Sequence, residues 1–212
     1  MSYIAARREE EKERRRLEII EAAEQLYAEQ GWDSLTMDQV ARRARLSRAL
    51  LYVYFRDKED LLFAITERAL TELRRRFEAA AAQHPLGIDQ ISAMGLAYTL
   101  FQQERPFQFD ACTRFHAHQT HEGAPNEVAC TVGGDAVMAT MVRSLQRGIE
   151  DGSVRADIGD PVRMCVMLWA FTHGLIQIAS TKAQEIARRG IESGSLLEEG
   201  RARLREMLAP RA

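Results

Sequence analysis

The stretch from Thr36 to Phe55 carries two helix-start signals so close together that few local arrangements accommodate both. Thr36 with Gln39 forms a capping box, in which the hydroxyl accepts from the third helical N–H while the glutamine reaches back to the cap. Leu35 and Val40 are placed as the accompanying hydrophobic staple. Ser47 is positioned to cap a second helix, so the first has to stop near Ala44 and leave Arg45 and Leu46 as a tight turn. The second helix is also short and ends near Phe55, after which Asp57 caps a longer one. Two short helices joined by such a turn describe a helix-turn-helix.

Helical periodicity extends well beyond this pair. Leu17, Ile20, Ala23, Leu26 and Tyr27 recur at spacings of three and four, with Arg and Glu on the other face. That helix stops at Gly31, which can adopt the left-handed cap without steric penalty, and Trp32 can fold back onto Tyr27. After Asp57, Leu61, Leu62, Ile65, Ala69 and Leu73 continue toward Phe77. His84, Pro85 and Gly87 interrupt the pattern, and a helix from about Ile88 to Gln103 follows. Pro106 opens a segment rich in Phe107, Phe109 and Phe115, while Gly123 to Asn126 reads as a loop. A helix from about Val128 to Asp151 ends on Gly152, Asp160 and Pro161 start the next, and the last lies near Leu196 to Leu208. No alternating strand pattern competes, so the expected fold class is all-α.

The segment after Pro161 carries two apolar stripes. Val162, Cys165, Val166, Trp169 and Ile176 form one; Met164, Met167, Leu168, Phe171, Leu175 and Ile178 form the other. A helix apolar on both faces has to be covered on both, one face by its own core and the other by a second subunit. Leu197, Leu204, Met207 and Leu208 would complete that interface. Met164 to Thr181 lacks Asp, Glu, Lys and Arg, yet Thr172, His173, Gly174, Gln177 and Ser180 leave it short of the roughly 20 predominantly apolar residues of a span. A buried helix is therefore expected, with no membrane partner. Arg7, Arg8, Glu9, Glu10, Glu11 and Lys12 make no secretory apolar region, and Cys112, Cys130 and Cys165 contain no CxxC pair. Free thiols in a reducing cytoplasm are the expectation.

The chain has 29 basic and 31 acidic residues, a net charge of −2, which excludes a protein that coats nucleic acid by overall charge. Locally the balance differs. Between Val40 and Lys58, Arg42, Arg43, Arg45, Arg48, Arg56 and Lys58 are opposed only by Asp57, about +5. Such a concentration suits phosphate neutralisation. In a helix-turn-helix the second helix enters the major groove while the first crosses the backbone.

On these residues the chain from about Arg16 to Leu62 resembles the N-terminal DNA-binding domain of the TetR family of bacterial transcriptional regulators. The resemblance rests on Ile20, Ala23, Leu26, Gly31, Thr36, Val40, Ala41, Ala44, Leu46 and Ser47. It rests above all on the run Leu51-Tyr52-Val53-Tyr54-Phe55-Arg56-Asp57-Lys58-Glu59-Asp60-Leu61. A weaker echo covers Gly148, Gly152, Arg155, Asp157, Pro161 and Gly174. The resemblance implies a three-helix DNA-binding domain over residues 1–57, including an N-terminal arm, and a helical effector-binding and dimerisation domain over 58–212. It implies a cytoplasmic homodimer on a pseudo-palindromic double-stranded DNA operator, acting as a repressor released by a small, apolar effector. The alternatives are an activator or effector-insensitive regulator on the same scaffold and, more remotely, a helical enzyme. No cofactor or metal is implied.

Family roles carry over residue by residue. Thr36 would present its hydroxyl and neighbouring N–H groups to a phosphate. Ser47, Arg48 and Ala49 would open the recognition helix toward base edges, with Arg48 placed for a bidentate guanine contact. Tyr52 and Tyr54 would touch the backbone and a thymine methyl, Lys58 would hold a phosphate, and Arg43 completes the set. Leu51 and Phe55 belong to the core. Arg45 stands where the family usually has glycine, so a left-handed backbone there would cost roughly 1 kcal/mol or be avoided. Leu50 lacks the hydroxyl common at its position, and Ala49 stands where glycine is frequent.

The rest of the chain offers weaker signals. His116, His118 and His121, with Cys112 nearby, have no strong zinc spacing and fit a polar loop or pocket edge better than a metal site. His173 fits either a satisfied core histidine or one that orients a ligand. Phe101, Phe107, His116, Met141, Trp169 and His173 are the candidate effector-pocket residues, because such pockets are apolar with a few polar groups. No Glu-x-x-His pair, HExxH, GxSxG, Walker loop or GxGxxG motif is present to support an enzyme.

Overall fold

The computed structural model describes residues 3–114 and 123–211. Among these the chain is helical with no strand: α1 (Tyr3–Gln30), α2 (Met37–Arg43), α3 (Arg48–Tyr54), α4 (Lys58–Ala81), α5 (Gly87–Glu104), α6 (Pro106–Arg114), α7 (Pro125–Glu150), α8 (Pro161–Thr181), α9 (Ala183–Ala187) and α10 (Ser193–Leu208). Packing divides it into two units, Met1–Leu70 with Arg105–Gly133 and Thr71–Glu104 with Gly134–Ala212. This partition differs from a cut at 57/58 drawn on the DNA-binding motif. Leu61, Ala64 and Ile65 of α4 and Ala111 of α6 share one core with the first three helices.

In the first unit, Ile19, Ile20, Ala23 and Leu26 of α1 bury together with Val40 and Ala41 of α2 and Leu51 of α3. Phe55 closes this cluster with no exposed surface. Helices as short as α2 and α3 are marginal in water by themselves, so this burial is what holds them. α1 ends as expected: Gly31 has φ +77°, its N–H donates to the Tyr27 carbonyl at 2.9 Å, and the Trp32 ring lies 5.2 Å from that of Tyr27.

The start of α4 is locked by a reciprocal pair. Asp57 Oδ1 accepts from the Asp60 N–H at 2.8 Å, and Asp60 Oδ2 accepts from the Arg56 N–H at 3.1 Å. The nearly buried Asp60 also accepts from Asn126 Nδ2 at 2.8 Å, and Arg16 donates to Asn126 Oδ1 at 2.8 Å. Asn126 was expected in a loop, but Pro125 opens α7 and makes it helical. Proline suits a first helical position because its fixed φ is already helical and its missing N–H would have had no partner.

In the second unit α10 packs on α8, α5 and α9, and α5 on α8. Asp160 caps α8 by accepting from the Arg163 N–H at 2.8 Å. The inward face of α8 is Met164, Cys165, Leu168, Ile176 and Ala179, while Val162, Val166, Met167, Trp169, Phe171 and Ile178 are exposed. Each expected stripe therefore contributes to both faces, because the buried arc of the helix straddles the boundary between the two stripes. By length and composition alone α8, with mean hydropathy 1.4 in its most apolar window, is long and apolar enough to cross a membrane. Its Thr, His, Gln and Ser residues do not take it below that threshold. α9 was not anticipated, and α10 begins before the expected Leu196.

The second unit also contains a close helix crossing. Gly87, the first residue of α5, donates its N–H to Asp151 Oδ2 at 2.8 Å, and the Ile88 N–H donates to Ser153 Oγ at 3.2 Å. The residues after α7 thus cap α5 from outside. A Cβ on Gly87 would collide with the backbone of Gly148, and one on Gly148 would come within 2.5 Å of Val154 Cγ2. Gly87→Ala is expected to destabilise the protein by about 1–3 kcal/mol, the usual range for overpacking. A urea denaturation midpoint equal to that of the parent would show that the crossing is not close enough to exclude a methyl group.

Candidate nucleic-acid interface

The site is built on α3, whose two faces are set by what its core residues bury. Ser47 Oγ accepts from the Leu50 N–H at 3.2 Å and starts the helix, while Leu51 and Phe55 are fully enclosed. With those two inward, Arg48, Ala49, Leu50, Tyr52 and Val53 are all exposed. The Arg48 side chain is 66% exposed; its Nε lies 3.2 Å from Asp38 Oδ1 and its guanidinium 5.6 Å from the centre of the Tyr52 ring. This is an i, i+4 pair of a cation on an aromatic face. Tyr54, expected to reach DNA beside Tyr52, is half-buried against the core cluster, because three residues after Leu51 the helix has turned inward again.

Thr36 is exposed and carries the full capping box: its hydroxyl accepts from the Gln39 N–H at 3.3 Å, and Gln39 Oε1 accepts from the Thr36 N–H at 2.8 Å. The turn that follows α2 is tight as expected. Arg45 adopts φ +57°, so the chain accepts the left-handed conformation without a glycine. In return it sets an exposed guanidinium between the two short helices, next to exposed Arg42 and in the same motif as exposed Arg56.

Two basic residues expected at phosphates are engaged elsewhere. Both terminal nitrogens of Arg43 donate to Glu29 on α1, at 2.9 and 2.6 Å. The same hydrogen-bonded fork holds the Glu29 carboxyl below the usual carboxylate range. Lys58 Nζ donates to the Trp32 carbonyl at 2.5 Å and lies 4.8 Å from the centre of the Trp32 ring. Partial burial pulls its pKa below that of a free lysine. Its first role in this structure is to satisfy carbonyls just beyond the end of α1. Periodicity could not reveal this, because the partners lie 26 residues away.

The candidate pocket residues do not form one set. Phe107 belongs to the first unit, where its ring lies 6.0 Å from that of Tyr27. Phe101, Met141, Trp169 and His173 belong to the second, and His116 lies outside the described residues, as do His118 and His121. Phe101 is closed off from solvent, with the Arg76 guanidinium 5.5 Å from its centre. Trp169 and His173 converge on Tyr98 of α5. The Tyr98 hydroxyl is 2.8 Å from His173 Nδ1, and Trp169 Nε1 donates to the same hydroxyl at 3.4 Å. Since the indole can only donate, the hydroxyl is free to donate in turn to a neutral imidazole. Burial lowers the His173 pKa and favours that neutral form. The Tyr98 hydroxyl, joined to His173 from 75 residues away, could not be singled out from the sequence.

One polar group inside the first unit also escaped sequence reasoning. Glu24 of α1 lies 3.8 Å from Arg68 and 3.5 Å from Gln108, and burial raises its pKa. Arg68 Nη1 and Gln108 Oε1 are buried without a protein partner.

With this geometry in hand, residues 19–65 match the family model described as bacterial regulatory proteins, tetR family. The chain is similar to the HTH-type transcriptional regulator HbdR of Aromatoleum sp. (strain CIB), 41% identical over 78 residues, which cover 35% of this chain and 33% of that protein. It is also similar to the HTH-type transcriptional regulator BetI of Brucella melitensis biotype 2, 34% identical over 93 residues, 42% of this chain and 47% of that one. The matched stretch thus spans less than half the length of these curated relatives. Among solved structures, a protein of unknown function from Rhodococcus sp. RHA1 superposes with TM-score 0.74 at 22% identity, covering 92% of this chain and 95% of its own. A TetR/AcrR-family transcriptional regulator from Thermobifida fusca gives TM-score 0.67 at 23% identity, covering 90% and 96%. At such identities these two establish the fold alone.

The turn supplies a direct test of local strain. Arg45→Gly should raise stability by up to about 1 kcal/mol, since glycine adopts positive φ without the Cβ clash, offset in part by its larger unfolded-state entropy. The expected readout is a higher thermal midpoint; a midpoint at or below that of the parent would mean that the turn holds arginine without strain.

Proposed function

We propose that this chain, whose residues 19–65 match the tetR family of bacterial regulatory proteins, is a DNA-binding transcriptional regulator of that family, acting as a homodimeric repressor released by a small effector. The observation that carries this reading is the outward face of α3. A helix anchored by Leu51 and Phe55 presents Arg48, Ala49, Tyr52 and Val53 to solvent, flanked by the exposed arginines 42, 45 and 56. Such a helix is shaped to enter a major groove, while the arginines and the α2 N-terminus meet phosphates. Arg48 and Tyr52 are the side chains we assign to base contact. Thr36, Ser47 and the flanking arginines position the motif. For Arg43 and Lys58 a phosphate role requires exchanging or sharing the intramolecular partners described above.

Self-association is supported by the exposed apolar face of α8, joined on α10 by the partly exposed Met207. The effector is proposed to bind within residues 58–212, where Tyr98, Trp169 and His173 supply polar groups in aromatic surroundings. It can act only through differential affinity for two conformations; moving the population from 99:1 to 1:99 takes about 5.5 kcal/mol.

Retention on a selected pseudo-palindromic duplex should fall steeply with salt, as counterion release requires. Arg48→Ala should lose about 1–3 kcal/mol of discrimination between that duplex and a scrambled one, while the slope against salt changes little. Sedimentation should give twice the 24.1 kDa chain mass. A monomer that binds no duplex at low ionic strength would overturn the proposal.

A further inference from the structure

We propose that Val53, with Ala49 one turn before it, reads thymine C5-methyl groups in the major groove and so sets the base preference of this chain. The inference rests on the DNA-binding function proposed above and adds which chemical feature of the bases is sensed, and by which residues.

Val53 is 76% exposed, the most exposed large apolar side chain after Tyr3 among the described residues. It is not there for the core. Leu51 and Phe55 on either side have no exposed surface, so α3 is fully anchored without it. Ala49 lies four residues before Val53 and is exposed on the same face. The outward surface of α3 therefore consists of two adjacent strips. One, Arg48 and Tyr52, is cationic and aromatic with hydrogen-bonding ends; the other, Ala49 and Val53, presents only methyl groups. Leu50, exposed to the same degree as Tyr52, adds no donor or acceptor beside them.

A side chain without donors or acceptors cannot read the nitrogen and oxygen pattern of a base edge. In the major groove the remaining apolar landmark is the thymine methyl, which separates T from C, A and G. Packing a valine against it removes both groups from water, and opposite a polar edge the same valine would desolvate a donor or acceptor without replacing its hydrogen bond. The strip thus favours thymine and disfavours the other bases at the steps it covers. Arg48 one position away is equipped for guanine. A half-site joining a guanine to one or more neighbouring thymines follows from the two strips together.

The full-length protein would first select duplexes from a randomised pool. The best site would then be resynthesised with each thymine in turn replaced by deoxyuridine, which removes one methyl group and nothing else. At the thymines facing Val53, affinity at fixed salt should fall about fourfold, the value of one buried methyl. Val53→Ala, at an exposed position, should bind the thymine and deoxyuridine duplexes equally at those steps and keep the parent's salt dependence. Parent affinity that is indifferent to deoxyuridine at every position would overturn the inference. So would a Val53→Ala variant that preserves the thymine preference. A pool from which no sequence is enriched is a separate outcome: it overturns the DNA-binding function and this inference with it.

Discussion

The burial of Leu51 and Phe55 is the constraint from which the interface follows. α3 is only seven residues long and has no helical stability of its own to draw on. Its axis and rotation are set by the two side chains that vanish into the core of α1, α2 and α4, and its start by the Ser47 cap. With the inner face fixed in this way, the outer face has no freedom: Arg48, Ala49, Tyr52 and Val53 are left pointing to solvent. A recognition surface on so short a helix is therefore as rigid as the cluster beneath it, which is the condition for reading base edges with side chains of limited reach.

The same economy governs the charges. A run of basic residues in the sequence suggests a uniform cationic surface, yet the structure gives its members different tasks. Arg43 is clamped by Glu29 and Lys58 by the Trp32 carbonyl and ring; outside the run, Arg16 is drawn to Asn126 while its guanidinium lies 5.7 Å from the centre of the Phe55 ring. Arg42, Arg45, Arg48 and Arg56 stay outward. The cations engaged by these partners hold helices together around the motif, and the four exposed arginines supply its field. Trp32 links both roles, packed at a tilt against Tyr27 on one contact and covered by the Lys58 ammonium on another.

Asp60 shows a further dependence of the motif on distant sequence. Nearly buried, it is held by the Arg56 N–H within its own turn and by Asn126 from the start of α7. A buried carboxylate without such partners would cost several kcal/mol, so α7 is part of what lets α4 begin where it does. Likewise the Tyr27 hydroxyl donates to Asp110 of α6 at 2.6 Å, and its burial together with that carboxylate raises the phenol pKa well above the ordinary value. The first unit is therefore not the product of its first 57 residues alone.

What the amino-acid sequence determined by itself was everything that depends on neighbours a few residues apart. The Thr36–Gln39 box, the Ser47 and Asp57 caps, the stop at Gly31, the Asp160–Pro161 start and the helical class all rest on hydrogen bonds or periodicities within one or two turns. Leu51 and Phe55 were legible as inward-facing for the same reason, whereas Tyr54 was not. The tertiary structure decided what depends on groups brought together from afar. It paired Arg43 with Glu29 and Lys58 with the Trp32 carbonyl, divided α8 into faces that its apolar stripes did not foretell, and joined Tyr98 to His173. In each case the deciding energy is a contact made or desolvated across a large sequence separation, and a linear pattern carries no information about which distant partner will be within reach.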